Sequence, residues 1–178
     1  INSYSEYNNI CEIVERLSPN SKAKVKVHDK KIDLYNYYEL ESKIENLLKK
    51  KVWLKSGGFL IIEQTEACVV IDVNSGKFVG KKNHQQMILK TNFEAVEEIC
   101  YQIRLRNLSG MIIIDFIDLK EQSDITELQN YFSQKLKKDR ISVTIVGMTK
   151  LGLMQLTRKK TREPLSNILK TTCKNCNG

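Results

Sequence analysis

No apolar run in this 178-residue chain approaches the roughly 18 residues that a helical membrane span requires. The N-terminus, I-N-S-Y-S-E-Y-N-N, has no basic stretch followed by an apolar one, so no secretory signal is legible. It also lacks an initiator Met, which is expected of a piece of a longer chain. Internal repeats and low-complexity linkers are absent, which favours one domain with a real core and at most a small appendage. The five cysteines are an odd count. Cys11, Cys68 and Cys100 each lie among apolar neighbours in helix or strand patterns. They read as buried free thiols in a reducing, cytoplasmic setting. There is one tryptophan, Trp53, between Val52 and Leu54. That setting predicts core packing, with stacking on a nucleic-acid base as the alternative.

What is abundant is positive charge. A formal balance of +8 and a pI near 9.2 favour an anionic partner, nucleic acid ahead of a membrane surface. At 41% hydrophobic the chain can still bury a sizeable core.

Two stretches carry the chemistry. Ser56 to Gly80 reads as a β-hairpin, with apolar runs Phe59 to Glu63 and Ala67 to Val73 around a polar Gln-Thr-Glu. The second run ends in Asp72-Val73-Asn74. Strand side chains alternate, so Asp72 and Asn74 share a face opposite Ile71 and Val73. Taken alone, Asp72 to Gly76 is also a good turn. Met111 to Asp118, M-I-I-I-D-F-I-D, is a second β-rich run with an acid, Asp115, near its end. A run apolar on both faces predicts a central strand covered on both sides. Two central strands that each end in Asp can set two carboxylates side by side at one sheet edge. Such a pair repels unless a cation or a shared proton lies between. An oxygen-only pair plus an amide suits Mg²⁺ or Mn²⁺, completed by water and a phosphate.

The rest of the chain supplies a frame. Helical spacing is expected over Ile1 to Leu17, through Ile10, Ile13, Val14 and Leu17. Ala23 to His28 alternates like a half-exposed strand. Further helices are expected over Tyr37 to Lys51, Asn92 to Asn107 and Ile125 to Lys138, and a strand over Ile141 to Val146. Together these predict an α/β fold, a mixed β-sheet flanked by helices. Arg104 and Arg106 close the Asn92 helix, where they complement its dipole or clamp a phosphate ahead of the Asp115 strand. Thr157 to Arg162, T-R-K-K-T-R, sets Arg158, Lys159, Lys160 and Arg162 among hydroxyls, as a solvated run or an RNA-backbone contact. Cys173-Lys174-Asn175-Cys176 is a C-x-x-C knuckle. A structural zinc takes four ligands and this knuckle supplies two. If the knuckle binds zinc, the other thiolates come from a second copy, giving a two-fold homodimer around a shared Cys₄ zinc. A redox pair is the less favoured reading, because no βαβ context precedes it.

Eight blocks now stand in order: K-V-W-L-K-S-G-G, Q-T-E-A, I-D-V-N-S-G-K-F-V-G, L-K-T-N-F-E-A, Q-I-R-L-R-N-L-S-G-M-I-I-I-D-F-I-D, L-K-K-D-R, L-G-L-M-Q-L-T-R-K-K-T-R and C-K-N-C-N-G. Together they resemble the catalytic region of the ribonuclease E/G family of bacterial endoribonucleases. The resemblance covers roughly Lys31 to Gly178. It implies a tail of an upstream subdomain, or a linker, over 1–30, a deoxyribonuclease-I-like catalytic subdomain over 31–156, and a basic segment with a zinc link over 157–178. It implies that Asp72 and Asp115 bind Mg²⁺, that Asn74 orients Asp72, and that Asp118 lies nearby without being a ligand. The implied activity is hydrolysis of single-stranded RNA, in RNA processing and decay, leaving a 5′-phosphate and a 3′-hydroxyl. The family's S1 domain and 5′-monophosphate sensor do not fit in the residues before Lys31, so weak RNA binding by this piece is expected. The resemblance also implies a zinc link between protomers through Cys173 and Cys176, although Lys174 stands where the family usually has Pro. The alternative reading is an RNA-binding or zinc-linked dimerisation module with no activity of its own.

Overall fold

The structure, a computed structural model, describes residues 1–76 and 84–171, without the side chains of 21–23. The chain divides into two compact units, Ile1–Asn46 and Leu47–Gly178. The sequence-based boundary at Lys31 falls inside the first.

In the first unit, α1 spans Tyr4–Leu17 and is capped by Ser3, whose hydroxyl accepts from the Glu6 amide at 3.3 Å. Of its expected apolar stripe, Ile13 and Leu17 are exposed. Ala23 to His28 does not form the expected strand. A 3₁₀ turn, Pro19–Lys24, takes its first part. The remainder is held by hydrogen bonds between Ile1 and both Lys26 and His28. The helix expected over Tyr37 to Lys51 is also corrected. It is two short helices, α2 (Leu34–Tyr37) and α3 (Leu40–Leu47). They part at Glu39, whose φ of 52° no helix accommodates. Asp33 caps α2 through the amides of Tyr35 and Asn36.

The second unit is built on a six-stranded mixed sheet. Its strands are β1 (Lys51–Trp53), β2 (Phe59–Gln64), β3 (Cys68–Asn74), β4 (Gly110–Asp115), β5 (Val143–Met148) and β6 (Leu153–Arg158), in the order β1-β2-β3-β4-β6-β5. β3 and β4 are parallel; every other pair is antiparallel. A parallel pair needs a long crossover. Here it contains α4 (His84–Leu105), which begins about two turns before the expected Asn92. α5 (Gln122–Leu136) follows β4, and the short α6 (Leu165–Leu169) follows β6.

Alternation along the strands sorts the sheet into two faces. Leu60, Ile62, Val69, Ile71, Val73, Ile112, Ile114, Met154 and Leu156 point inward. They pack on Val96, Ile99 and Ile103 of α4 and on Leu128 and Phe132 of α5. Each such side chain, fully buried, contributes about 1.5–3 kcal/mol. The expectation that the Asp115 strand is covered on both sides is not met among the described residues. Ile112 and Ile114 are wholly buried, while Met111 on the other face is 44% exposed. Cys11 and Cys100 are buried free thiols, as read, but Cys68 is only half-buried. Burial pushes the Cys100 thiol up to about 12, which leaves it inert.

One buried ion pair ties the helix ends to the sheet. Arg158 on β6 points inward and donates through Nε to Asp139 Oδ2 at 2.9 Å, with the two side chains 2% and 5% exposed. Its Nη1 donates to Asn107 Oδ1 and to the Leu108 carbonyl. Asn107, at φ 50°, ends α4 in the left-handed conformation that Asn tolerates. Its amide donates to the carbonyls of Arg162 and Glu163. Asp139 is raised by burial, but hydrogen bonds from Arg158 and the Ile141 amide outweigh this and hold it below the usual carboxylate range. The stability it supplies is therefore full above that range and lost as pH falls through the depressed value.

Arg158→Met strands the Asp139 charge in the interior and is expected to cost about 3–5 kcal/mol in urea denaturation at neutral pH. Much of that difference should disappear in acid. Lys50→Ala removes only the exposed Lys50–Glu63 pair and should cost less than about 1 kcal/mol in the same measurement.

Candidate functional site

The parallel β3–β4 pairing sets Cys68 opposite Met111, Ile71 opposite Ile114, and Asp72 opposite Asp115. The two acids are thus direct register partners near the carboxyl ends of neighbouring parallel strands, about 4.8 Å apart at the backbone. Both lie on the face away from α4 and α5. Crevices beyond the carboxyl ends of parallel strands are where open α/β sheets bind ligands. Asp72 is half-buried and Asp115 exposed. Asn74 donates from Nδ2 to Asp72 Oδ2 at 2.8 Å and so fixes the orientation of that carboxylate. Asp115 is held above the usual carboxylate range, first by partial desolvation, then by the negative charges of Asp72 and Asp118.

Two loops close on this end of the sheet at backbone contact. Residues 54–58 form a tight turn before β2, with Leu54 N–H bonded to the Gly58 carbonyl. A side chain at Gly58 would place its Cβ 2.7 Å from the Asn74 carbonyl oxygen. At Gly76, with φ at 70°, a Cβ would fall 2.4 Å from the Gly57 oxygen. The glycines of S-G-G and N-S-G are therefore matched to each other, and they hold Asn74 where it meets Asp72.

Helix α4 supplies two supports that sequence reasoning missed. Asn92, where the sequence places the start of the helix, is wholly buried inside it. Its Nδ2 donates to the Ile117 carbonyl at 2.8 Å and its Oδ1 accepts from the Ile117 amide at 3.1 Å. That clamp anchors the segment between Asp115 and Asp118. Glu94 accepts from the Ser56 amide with both oxygens and anchors the glycine turn. The signal in the sequence was an amide one position before Phe93 in a helix otherwise apolar on that side.

The basic candidates separate. Lys159, Lys160 and Arg162 are exposed and Arg104 is half-buried. Arg158 is interior and bound to Asp139, and Arg106 is 8% exposed with Nε donating to Gln102. These two corrections remove a third of the expected six-residue basic surface. A cavity of about 900 Å³ is lined by Thr65, Arg106, Leu108 and Ser166, among others. It lies where β3 begins, at the far end of the sheet from Asp72 and Asp115. Cys173 and Cys176 lie outside the described residues.

The donor set at the carboxylate pair fits a hard divalent cation. Two acidic groups and an amide are all oxygen ligands, and their mutual repulsion is relieved by a cation between them. Among the described residues no group of three or more His, Cys, Asp or Glu assembles into a metal site. Mg²⁺ takes one or two carboxylates and leaves its other positions to water and phosphate, so the pair suffices. No helix among the described residues is long and apolar enough to cross a membrane.

A family model described as the ribonuclease E/G family matches residues 1–161. Ribonuclease G of Salmonella typhimurium is 39% identical over 178 residues, 100% of this chain and 36% of that protein. Ribonuclease G of Escherichia coli is 38% identical with the same coverage. Ribonuclease E of Synechocystis sp. is 41% identical over 151 residues, 85% of this chain and 22% of that one. The chain therefore spans about a third of the ribonucleases G that it matches.

Carboxyl NMR across a pH titration should find Asp115 titrating above the ordinary aspartate range, and closer to it in Asp72→Asn. Because a raised carboxyl pKa costs stability above that range and nothing below it, Asp115→Asn should melt higher than the parent at pH 7. The advantage should vanish below about pH 3.9.

Proposed function

This chain belongs to the ribonuclease E/G family, and from that premise we propose that it carries the catalytic centre of a divalent-cation-dependent endoribonuclease acting on single-stranded RNA. The observation that carries this reading is the register pairing of Asp72 with Asp115.

The division of labour follows from the geometry. Asp72 and Asp115 would hold Mg²⁺ or Mn²⁺. A cation bound there supplies activation of water and neutralises charge developing at phosphorus. Asn74 keeps the Asp72 carboxylate from rotating away. Asn92 keeps the Asp115–Asp118 segment seated on the sheet through Ile117. Asp118 adds negative potential beside Asp115 without being required as a ligand. Lys159, Lys160 and Arg162, exposed after β6, draw the RNA backbone by charge alone. Hydrolysis by this route leaves a 5′-phosphate and a 3′-hydroxyl. We place the protein in the cytoplasm, in RNA processing and decay.

The second part of the proposal concerns assembly. Cys173 and Cys176 give a zinc ion two thiolates, and a second copy of the chain gives the other two. The zinc is then shared across a homodimer. The dimerisation reading without activity stays as the alternative, and the two have different tests.

Asp72→Asn and Asp115→Asn, made in the full-length protein, should each lower cleavage of a single-stranded RNA by at least about a hundredfold. RNA retention in a gel-shift assay with chelator should be unchanged or stronger, since a negative charge is lost. Unchanged cleavage in both variants defeats the nuclease reading. Separately, chelation of zinc, or Cys173→Ser with Cys176→Ser, should convert dimer to monomer in native mass spectrometry. A monomeric parent rules out the zinc link and leaves the nuclease reading standing.

A further inference from the structure

Trp53 is not in the core. It is 64% exposed, on the same open sheet face as the carboxylate pair. The strand register gives its position. Trp53 pairs with Phe59, Phe59 with Asn74, and Asn74 lies two residues along β3 from Asp72. Lys51 pairs with Ile61, Ile61 with Asp72, and Asp72 with Asp115. Two adjacent cross-strand rows therefore run from an aromatic corner to the acids. Two strand spacings across and two residues along put Trp53 about 12 Å from Asp72 at the backbone.

That corner is organised. The Trp53 and Phe59 rings meet edge-on, 5.4 Å between centroids at 64°. Lys51 Nζ stands 4.0 Å from the Trp53 centroid and 3.7 Å from that of Phe59. A cation held over two rings stiffens both and leaves a positive charge at the platform edge. A tryptophan joins a large apolar ring to a polar N–H, which suits it to interfaces that are apolar at one end and wet at the other. The occupant must offer a flat apolar face and a negative charge together, beside a site suited to a phosphate. A nucleotide offers both, and proteins that hold single strands pair aromatic platforms with basic side chains.

We propose that Trp53, braced by Phe59 and Lys51, is a base-stacking subsite that holds a nucleotide neighbouring the phosphate bound at Asp72 and Asp115. This rests on the RNA-cleaving reading and adds to it a residue that sets the register of the strand. Lys51 meets the backbone phosphate of the stacked nucleotide, and Trp53 takes its base. Stacking tolerates every base, so the subsite supplies affinity and alignment more than sequence choice.

Trp53 is the chain's one tryptophan, so its emission reports the subsite alone. The experiment titrates the protein, with chelator present to prevent cleavage, with a short single-stranded oligoadenylate, then with the same backbone lacking bases. The proposal expects saturable quenching by the first and none by the second. Trp53→Ala, at an exposed position and checked for fold by circular dichroism, should bind oligoadenylate about tenfold more weakly by anisotropy. Trp53→Phe should keep most of the affinity. Equal quenching by the abasic strand, or unchanged affinity in Trp53→Ala, overturns the subsite. So does an emission change with protein concentration alone, which assigns the face to a second copy. Asp72→Asn separates the two readings. If quenching persists there while its cleavage is lost and the full-length parent cleaves, both hold. If the parent cleaves but never quenches, only the subsite falls. If quenching occurs but Asp72→Asn and Asp115→Asn cleave normally, the subsite stands as an RNA contact and the catalytic reading falls.

Discussion

Two carboxylates face each other across neighbouring strands, and the rest of the second unit holds them there. Asp72 and Asp115 are direct partners in a parallel pair. Like charges placed directly opposite are destabilising. Left to itself the sheet would relieve this by slipping. It cannot, because a one-residue slip would turn Ile71 and Ile114, both wholly buried, out to water. The apolar face locks the register, and the register imposes the repulsion. Asp115 is raised first by partial desolvation and then by the charges of Asp72 and Asp118.

Parallel pairing matters as much as register. In an antiparallel pair the two acids would end at opposite edges of the sheet. α4 makes the parallel return possible and does two further jobs on the way. Asn92 clamps Ile117 after the Asp115 strand, and Glu94 clamps Ser56 before the hairpin. The helix that carries the crossover therefore also fixes both backbones that flank the acids. The matched glycines at 58 and 76 bring the third support, a loop-on-loop contact with no room for a side chain.

The positive charge is spent in two ways. Arg158 and Arg106 are consumed inside the fold, Arg158 against Asp139 and Arg106 against Gln102. Lys51, Lys159, Lys160 and Arg162 remain at the surface. A run of like charges in sequence is thus no measure of a basic surface. On a strand, alternate members of the run point to opposite faces, and β6 turns Arg158 inward while Thr157 stays out.

The chain by itself determined what short-range periodicity can carry. The hairpin, the face shared by Asp72 and Asn74, the apolar stripe of α4 and the family motifs all depend on residues a few positions apart. Those spacings survive in any packing. The misses came where distant residues decided the outcome. β1 has only three residues and β6 an ambiguous pattern, and pairing with β2 and β4 makes them strands. Trp53 reads as core because its neighbours are apolar, yet no described element of its own unit covers that face of β1 strongly enough to bury it. Asn92 reads as no more than a helix start, because only the fold brings Ile117 beside it. Tertiary structure alone decided that two acids 43 positions apart in the sequence become neighbours, because the repulsion between them is overcome only when the whole apolar face is buried at once.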